Sequence, residues 1–103
     1  MNLYLTRRDN TIKAEADYNF DSGKFTVLKG SIVSDTIAAG SFRSAKSVQK
    51  MRMQSVKDGI LTENLVFKSA STAANFVTGR STNGLLAWKT EDGIKLREAL
   101  ENK

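Results

Sequence analysis

Arg43, Lys46, Lys50 and Lys57 recur at a spacing that gathers them on one flank of a helix. At about 100° per residue they fall within roughly 60° of one another on the helical wheel. Cations collected on one helix face can neutralise successive phosphates and release counterions, the chemistry of sequence-independent nucleic-acid binding. The competing reading is a solubilising outer face of an amphipathic helix. No acid stands four residues from any of the four cations. A helix with a purely structural role usually gains from interspersed signs.

A second group is Gly79-Arg80-Ser81-Thr82-Asn83-Gly84. A loop bounded by glycines lets backbone N–H groups and an arginine converge on an anion. Structure alone also accounts for it, with Gly79 ending a helix and Asn83-Gly84 turning into a strand. That leaves Arg80, Ser81 and Lys89 as the candidates there.

Catalytic signatures are weak. The chain has no histidine and no cysteine, which removes the usual general base, thiolate nucleophiles and the commonest metal ligands. Lys24 is followed by Phe25, and Tyr18 stands where a phosphate loop needs glycine. Ser47 and Lys50 fit Ser-x-x-Lys without its companion motifs. Glu91, Asp92, Glu98 and Glu101 sit among four bases near the C-terminus and read as solvated pairs. A non-enzymatic role without cofactor or metal is the expectation; a hydrolase using those carboxylates is the weakest alternative.

The elements that position these groups follow from periodicity. Residues 2–6 read as a strand, broken at Arg7-Arg8-Asp9-Asn10. From Ile12 to Phe20 apolar and polar residues alternate strictly, the pattern of a strand with one wet face. Asp21-Ser22-Gly23 supplies a turn and Lys24–Val33 a second strand, giving an antiparallel meander over residues 2–33. Residues 34–40 read as a loop. The basic helix should run from Ser44 to Lys57 and end at Gly59, with Ala45, Val48, Met51 and Val56 inward. Arg52 falls among those apolar residues, so its stem lies along the core edge or its head meets a buried acid. Leu65–Phe67 reads as a strand, Ser71 as the N-cap of a helix over Thr72–Thr78, and Gly79 as its stop. Leu85–Trp88 reads as a strand, and Asp92-Gly93 as a turn before a helix over Lys95–Leu100. Trp88, Tyr4 and Tyr18 suit core and strand packing better than base stacking.

At 103 residues, one domain spanning 1–103 is expected. The net charge of +5 is concentrated in residues 41–60, where five bases face one acid. A localised surplus attracts polyanions, whereas the same charge spread evenly mainly aids solubility. No apolar run reaches the length of a membrane span and no secretory signal is evident. A soluble, cytoplasmic domain is the default expectation.

Ser69–Trp88, SASTAANFVTGRSTNGLLAW, combines a serine-capped, alanine-rich helix, Gly-Arg-Ser, Asn-Gly and an aromatic element. Together with Gly23–Ser31 and Asp58-Gly59-Ile60-Leu61, it resembles the DUF4357 domains across roughly Ala14–Leu100. The matching positions are Gly30, Ser31, Asp58, Gly59, Ser71, Ala73, Ala74, Gly79, Arg80, Asn83, Gly84, Trp88 and Gly93. Such domains are found appended to GIY-YIG endonucleases and near restriction–modification proteins, and are similar to the RAMA domains of adenine methylases. The resemblance implies an accessory module associated with DNA, duplex and including modified DNA, beside a nuclease or methyltransferase partner. Relatives often place an aromatic directly after Asn-Gly, where this chain has Leu85.

The expected fold is α+β: an antiparallel β-meander, a basic amphipathic helix and a C-terminal strand–helix–strand unit. The expected function is a non-catalytic nucleic-acid-binding accessory module, with Arg43, Lys46, Lys50 and Lys57 on phosphates and Arg80 and Lys89 assisting. The alternative is a protein-interaction or structural module that docks an enzymatic partner.

Overall fold

The computed structural model describes residues 1–7, 9, 11–35 and 45–101. Alternation produces the first two strands, as expected. β1 (Asn2–Thr6) and β2 (Lys13–Tyr18) pair antiparallel, with Leu3 opposite Ala16 and Leu5 opposite Ala14. Those four side chains are buried, so one face of the pair lines the core. Gly23, at φ 74°, turns the chain after Asp21-Ser22, and the Asn19 side chain accepts from both preceding amides. β3 (Phe25–Val27) then pairs with β2 and completes the meander.

The second hairpin strand is shorter than the expected Lys24–Val33. The Leu28 amide still donates to the Glu15 carbonyl at 2.9 Å; the chain then leaves the ladder at Lys29–Gly30, where Gly30 takes φ 93°, and returns at Ile32, which pairs with Lys13. Ser31 bridges the interruption. Its buried hydroxyl donates to the Leu28 carbonyl at 2.7 Å and accepts from the Glu15 amide at 3.1 Å, replacing the missing ladder bond.

α1 (Ala45–Ser55) stops two residues short of Lys57. The expected start at Ser44 and the loop residues 36–40 lie outside the described residues. Val56–Lys57 instead forms β4, paired with β5 (Ile60–Leu61) across Asp58 and Gly59 at φ 55° and 80°. Two successive positive φ values make a two-residue hairpin turn, so Gly59 turns a hairpin and caps no helix. Pairing of Ile60 with Ile32 joins this hairpin to the β2 side of the main sheet, a tertiary contact that overrides the local helical pattern.

β6 (Leu65–Phe67) adds to β3, giving the order β1-β2-β3-β6. α2 (Ala70–Thr78) lies on the buried face, with Ala73, Ala74, Phe76 and Val77 fully enclosed. Its N-cap is Ser69 rather than Ser71: Ser69 is extended, and its hydroxyl accepts from the Thr72 amide at 3.1 Å. Ser69→Ala should therefore cost about 1 kcal/mol in urea denaturation, with the slope of the transition unchanged. Gly79 ends α2 at φ 75°, as expected.

Leu85–Trp88 is not a strand. Gly84–Ala87 forms α3, capped by the Asn83 side chain, which accepts from the Leu85 amide at 3.0 Å. Trp88 follows in extended backbone, and Lys89 rejoins the sheet edge opposite Tyr4. A turn at Asp92-Gly93 leads into α4 (Leu96–Glu101), close to the expected helix. The α+β class holds, with a short helix and one paired residue in place of the second C-terminal strand.

The core lies between the sheet and α2. Trp88 is fully buried against Phe25 at 5.0 Å between ring centroids, and Phe67 meets Phe76 at 5.4 Å. Arg52 meets no buried acid. Its Nε and Nη2 donate to the Phe76 carbonyl at 3.0 and 2.6 Å, Nη2 also to Val77, and Nη1 to the Ser34 carbonyl at 2.7 Å. The guanidinium thus satisfies the terminal carbonyls of α2, at the end of the helix where the dipole favours a cation. Burial lowers its pKa and the charge of Asp35 opposes that shift.

Candidate functional site

Of the four cations of the expected helical stripe, the three that are described do not share one helix. Arg43 lies outside the described residues. Lys46 and Lys50 are exposed on α1, on the helical side of the sheet. Lys57 has left the helix for β4, where it pairs with Ile60. Arg80 is exposed just beyond α2, also on the helical side. Lys89 occupies the opposite edge of the sheet, beside β1.

The loop over residues 79–84 does not converge on an anion. Its amides turn inward: Gly79 donates to the Asn75 carbonyl, Arg80 to Thr78 Oγ1, Thr82 to Asn75 Oδ1 and Gly84 to Ser71 Oγ. Ser81 is exposed and Thr78 and Thr82 hydroxyls both engage the Arg80 carbonyl. These bonds fix the loop and leave few donors pointing outward.

The sheet face turned away from the core carries a different cluster. Residues opposite each other in neighbouring strands project to the same side. Register therefore sets out two rows on this face. One runs Lys95, Lys89, Tyr4, Glu15; the other runs Thr6, Lys13, Ile32, Ile60, Lys57. Two of these pairings exchange both backbone hydrogen bonds: Tyr4 with Lys89 at 2.7 and 2.9 Å, and Lys13 with Ile32 at 2.9 Å each way. Three shallow clefts follow one another across the face and share walls. The first lies between Lys89 and Tyr4, the second between Tyr4, Lys13, Glu15 and Lys29, and the third between Lys29, Lys57 and Ile60.

Lys13, Lys29, Lys57, Lys89 and Lys95 are all exposed. The salt bridges among the described residues join the Met1 ammonium to Asp17 and Arg97 to Glu101, and engage none of the five. Glu15, Glu91 and Asp58 are the acids that line these clefts. Five pairing steps lead from Lys89 through β1, β2, Ile32 and β5 to β4. At about 4.8 Å per step the distance is about 24 Å.

Lys13, Lys29, Lys95 and Glu15 were missed as site residues. Lys13 and Glu15 carried a signal, since both fall on the wet positions of the Ile12–Phe20 alternation. Tyr4, which suits strand packing by sequence, is half-buried and lines two of the clefts, whereas Tyr18 packs on Phe20 and Phe25 as expected. Among the described residues no cluster of three or more acids, histidines or cysteines could hold a metal ion, and no helix is long and apolar enough to cross a membrane.

Comparison with protein families finds a match to the model described as a domain of unknown function, DUF4357, over residues 4–100. The chain belongs to the DUF4357 family. No curated protein and no solved structure gives a match.

In this DUF4357 chain the residues that carry the family pattern are mostly scaffold. Ser71 accepts from the Gly84 amide at 2.9 Å, Trp88 Nε1 donates to the Ala70 carbonyl at 3.0 Å, and Ala73 and Ala74 let α2 lie close on the sheet. Gly30 and Ser31 break and bridge the ladder, and Asp58-Gly59 turns the hairpin. Leu85 is 40% exposed on α3 and contributes to the surface rather than to the core.

Proposed function

We propose that this DUF4357 chain is a non-catalytic nucleic-acid-binding module, an accessory to a DNA-processing or restriction–modification enzyme, and that its open sheet face meets the phosphates. The observation that supports this reading is a set of exposed lysines that form no salt bridge among the described residues: Lys13, Lys29, Lys57 and Lys89 line the clefts, and Lys95 extends their row beyond Lys89. Ammonium groups spread over about 24 Å from Lys89 to Lys57, with Lys95 one step beyond Lys89, match a stretch of backbone phosphates, and the affinity comes from counterion release rather than from base readout. The resemblance to domains that accompany nucleases and methylases supports DNA as the polymer and such an enzyme as the partner.

Five phosphate contacts would give a slope of log K against log salt of about −3.5 on single strands and −4.5 on duplex. Reversing Lys13 and Lys89 to glutamate should weaken binding about tenfold or more and flatten that slope by about 1.4 to 1.8. Reversing Lys46 and Lys50 on α1 should change both far less. Fluorescence anisotropy across a salt series measures these values. An unchanged titration for the Lys13 and Lys89 pair would count against the open face.

A second reading, a module that docks a protein partner, is favoured by one observation. Leu85 and Leu86 are both about two-fifths exposed on α3. Under that reading Leu85→Glu with Leu86→Glu would abolish capture of a nuclease or methyltransferase partner, and nucleic acid would not bind at physiological salt.

A further inference from the structure

We infer that the open face takes single-stranded nucleic acid, with Tyr4 stacking on an unpaired base and Glu15 accepting hydrogen bonds from the edge of that base, guanine above the others. This rests on the reading of the lysines as phosphate contacts. It is carried by what lies between them.

Beside Lys13 and Lys29, the middle of the trough carries an aromatic ring and a carboxylate. Tyr4 stands half-buried on β1, directly opposite Glu15 on β2 and flanked on its other side by Lys89. Directly opposed side chains have Cβ atoms about 5 Å apart, so a base laid on the Tyr4 ring would have its edge at the Glu15 carboxylate. Within the described residues neither the Tyr4 hydroxyl nor the Glu15 carboxylate has a hydrogen-bond partner in the protein. Ile32 and Ile60 add apolar floor toward Lys57.

Duplex fits this surface poorly for two reasons. The major groove is about 12 Å wide and 8.5 Å deep, whereas Tyr4 rises from a strand in the interior of a face about 24 Å across, so it cannot reach base edges there. The outer surface of a duplex would then set its phosphates against the Glu15 carboxylate, a like-charge contact. A single strand can do the opposite, keeping phosphates on the lysines and turning bases inward. Base-on-aromatic stacking is the usual source of affinity in such sites.

The carboxylate adds selectivity because it only accepts. Guanine presents an imino and an amino N–H side by side on its pairing edge. Adenine and cytosine present one amino group next to a ring-nitrogen acceptor, and thymine one imino group between two carbonyls. Only guanine offers a carboxylate two donors and no facing lone pair.

The test is fluorescence anisotropy at fixed salt with the full chain. The probes are a twelve-residue thymine strand, the same strand with one central guanine, adenine or cytosine, and a twelve-base-pair duplex. The guanine-bearing strand should bind about tenfold tighter than the thymine strand and tighter than the duplex. Tyr4→Leu should lose about fivefold to a hundredfold on single strands. Glu15→Gln should erase the guanine preference without weakening the thymine strand, which a merely structural role would not produce. A thermal melt confirms that each variant folds. Equal affinity for duplex and single strand, untouched by Tyr4→Leu but weakened by reversal of Lys13 and Lys89, would overturn the single-strand assignment and leave the lysine reading standing. Absence of binding to every probe would overturn both.

Discussion

Replacing Gly84 with alanine should destabilise the fold by about 3 kcal/mol, the upper end of what one added methyl group costs in a packed interior. A Cβ built at Gly84 would lie 2.2 Å from the Ala70 carbonyl carbon, 2.4 Å from its oxygen and 2.4 Å from the Ser71 nitrogen. All three are backbone atoms of the first turn of α2, so no side chain can swing aside. The same contact carries two hydrogen bonds, from the Gly84 amide to Ser71 Oγ and from Trp88 Nε1 to the Ala70 carbonyl. Prising α3 from α2 would strain both and loosen the fully buried Trp88. For a domain of this size the melting temperature should fall by about 12–20 °C. Gly93→Ala is the informative control. Gly93 has φ 85° and nothing within 4 Å of an added Cβ, so only backbone strain of about 1–2 kcal/mol should appear. Similar losses at both positions would contradict the close approach of α2 and α3.

Arg52→Leu should cost about 2–4 kcal/mol although it places an apolar residue in a buried position. The guanidinium donates to the carbonyls of Phe76, Val77 and Ser34 and to Ser34 Oγ, and lies over the Phe76 ring at 5.8 Å. Leucine can supply the packing but none of the donors, and the carbonyls ending α2 would be left buried and unpaired. Arg52→Lys should recover little. One ammonium on a flexible stem cannot reproduce a planar fork that reaches three carbonyls at once. Urea denaturation of the two variants beside the parent chain measures the effect, and a lysine variant as stable as the parent would sink the capping role.

Much of the scaffold could be read locally. The alternation from Ile12 to Phe20 marks β2 and its wet face, Gly79 marks the end of α2, and Trp88 is the core anchor it resembles in sequence. Three features resisted because their causes are not local. Val56 and Lys57 continue a helical pattern, yet pairing across Asp58-Gly59 and contact of Ile60 with Ile32 draw them into strands. Asn83-Gly84 looks like a hairpin turn because that dipeptide accepts positive φ. Here Asn83 has φ −80° and caps a helix, and Gly84 is needed for its missing side chain. Ser69 and Ser71 are equally good caps by type, and only their partners separate their roles: Ser69 accepts from the Thr72 amide, and Ser71 from the distant Gly84 amide.

The candidate site was less legible than the fold. Cations are densest in sequence over residues 41–60. Lys13, Lys57 and Lys89 come from distant parts of the chain and share one face only through strand register. No local window contains that juxtaposition. Lys46 and Lys50, adjacent on the wheel, end on the other side of the sheet.

The most direct test maps the contact surface itself. Two-dimensional NMR of isotope-labelled chain, titrated with a short single-stranded oligonucleotide, should shift the amides of Tyr4, Lys13, Glu15 and Lys89 and of the Val56–Leu61 hairpin. Amides around Lys46–Lys50 and Arg80 should stay in place. Shifts centred on α1, or a spectrum that the oligonucleotide leaves unchanged, would contradict the assignment of the open sheet face.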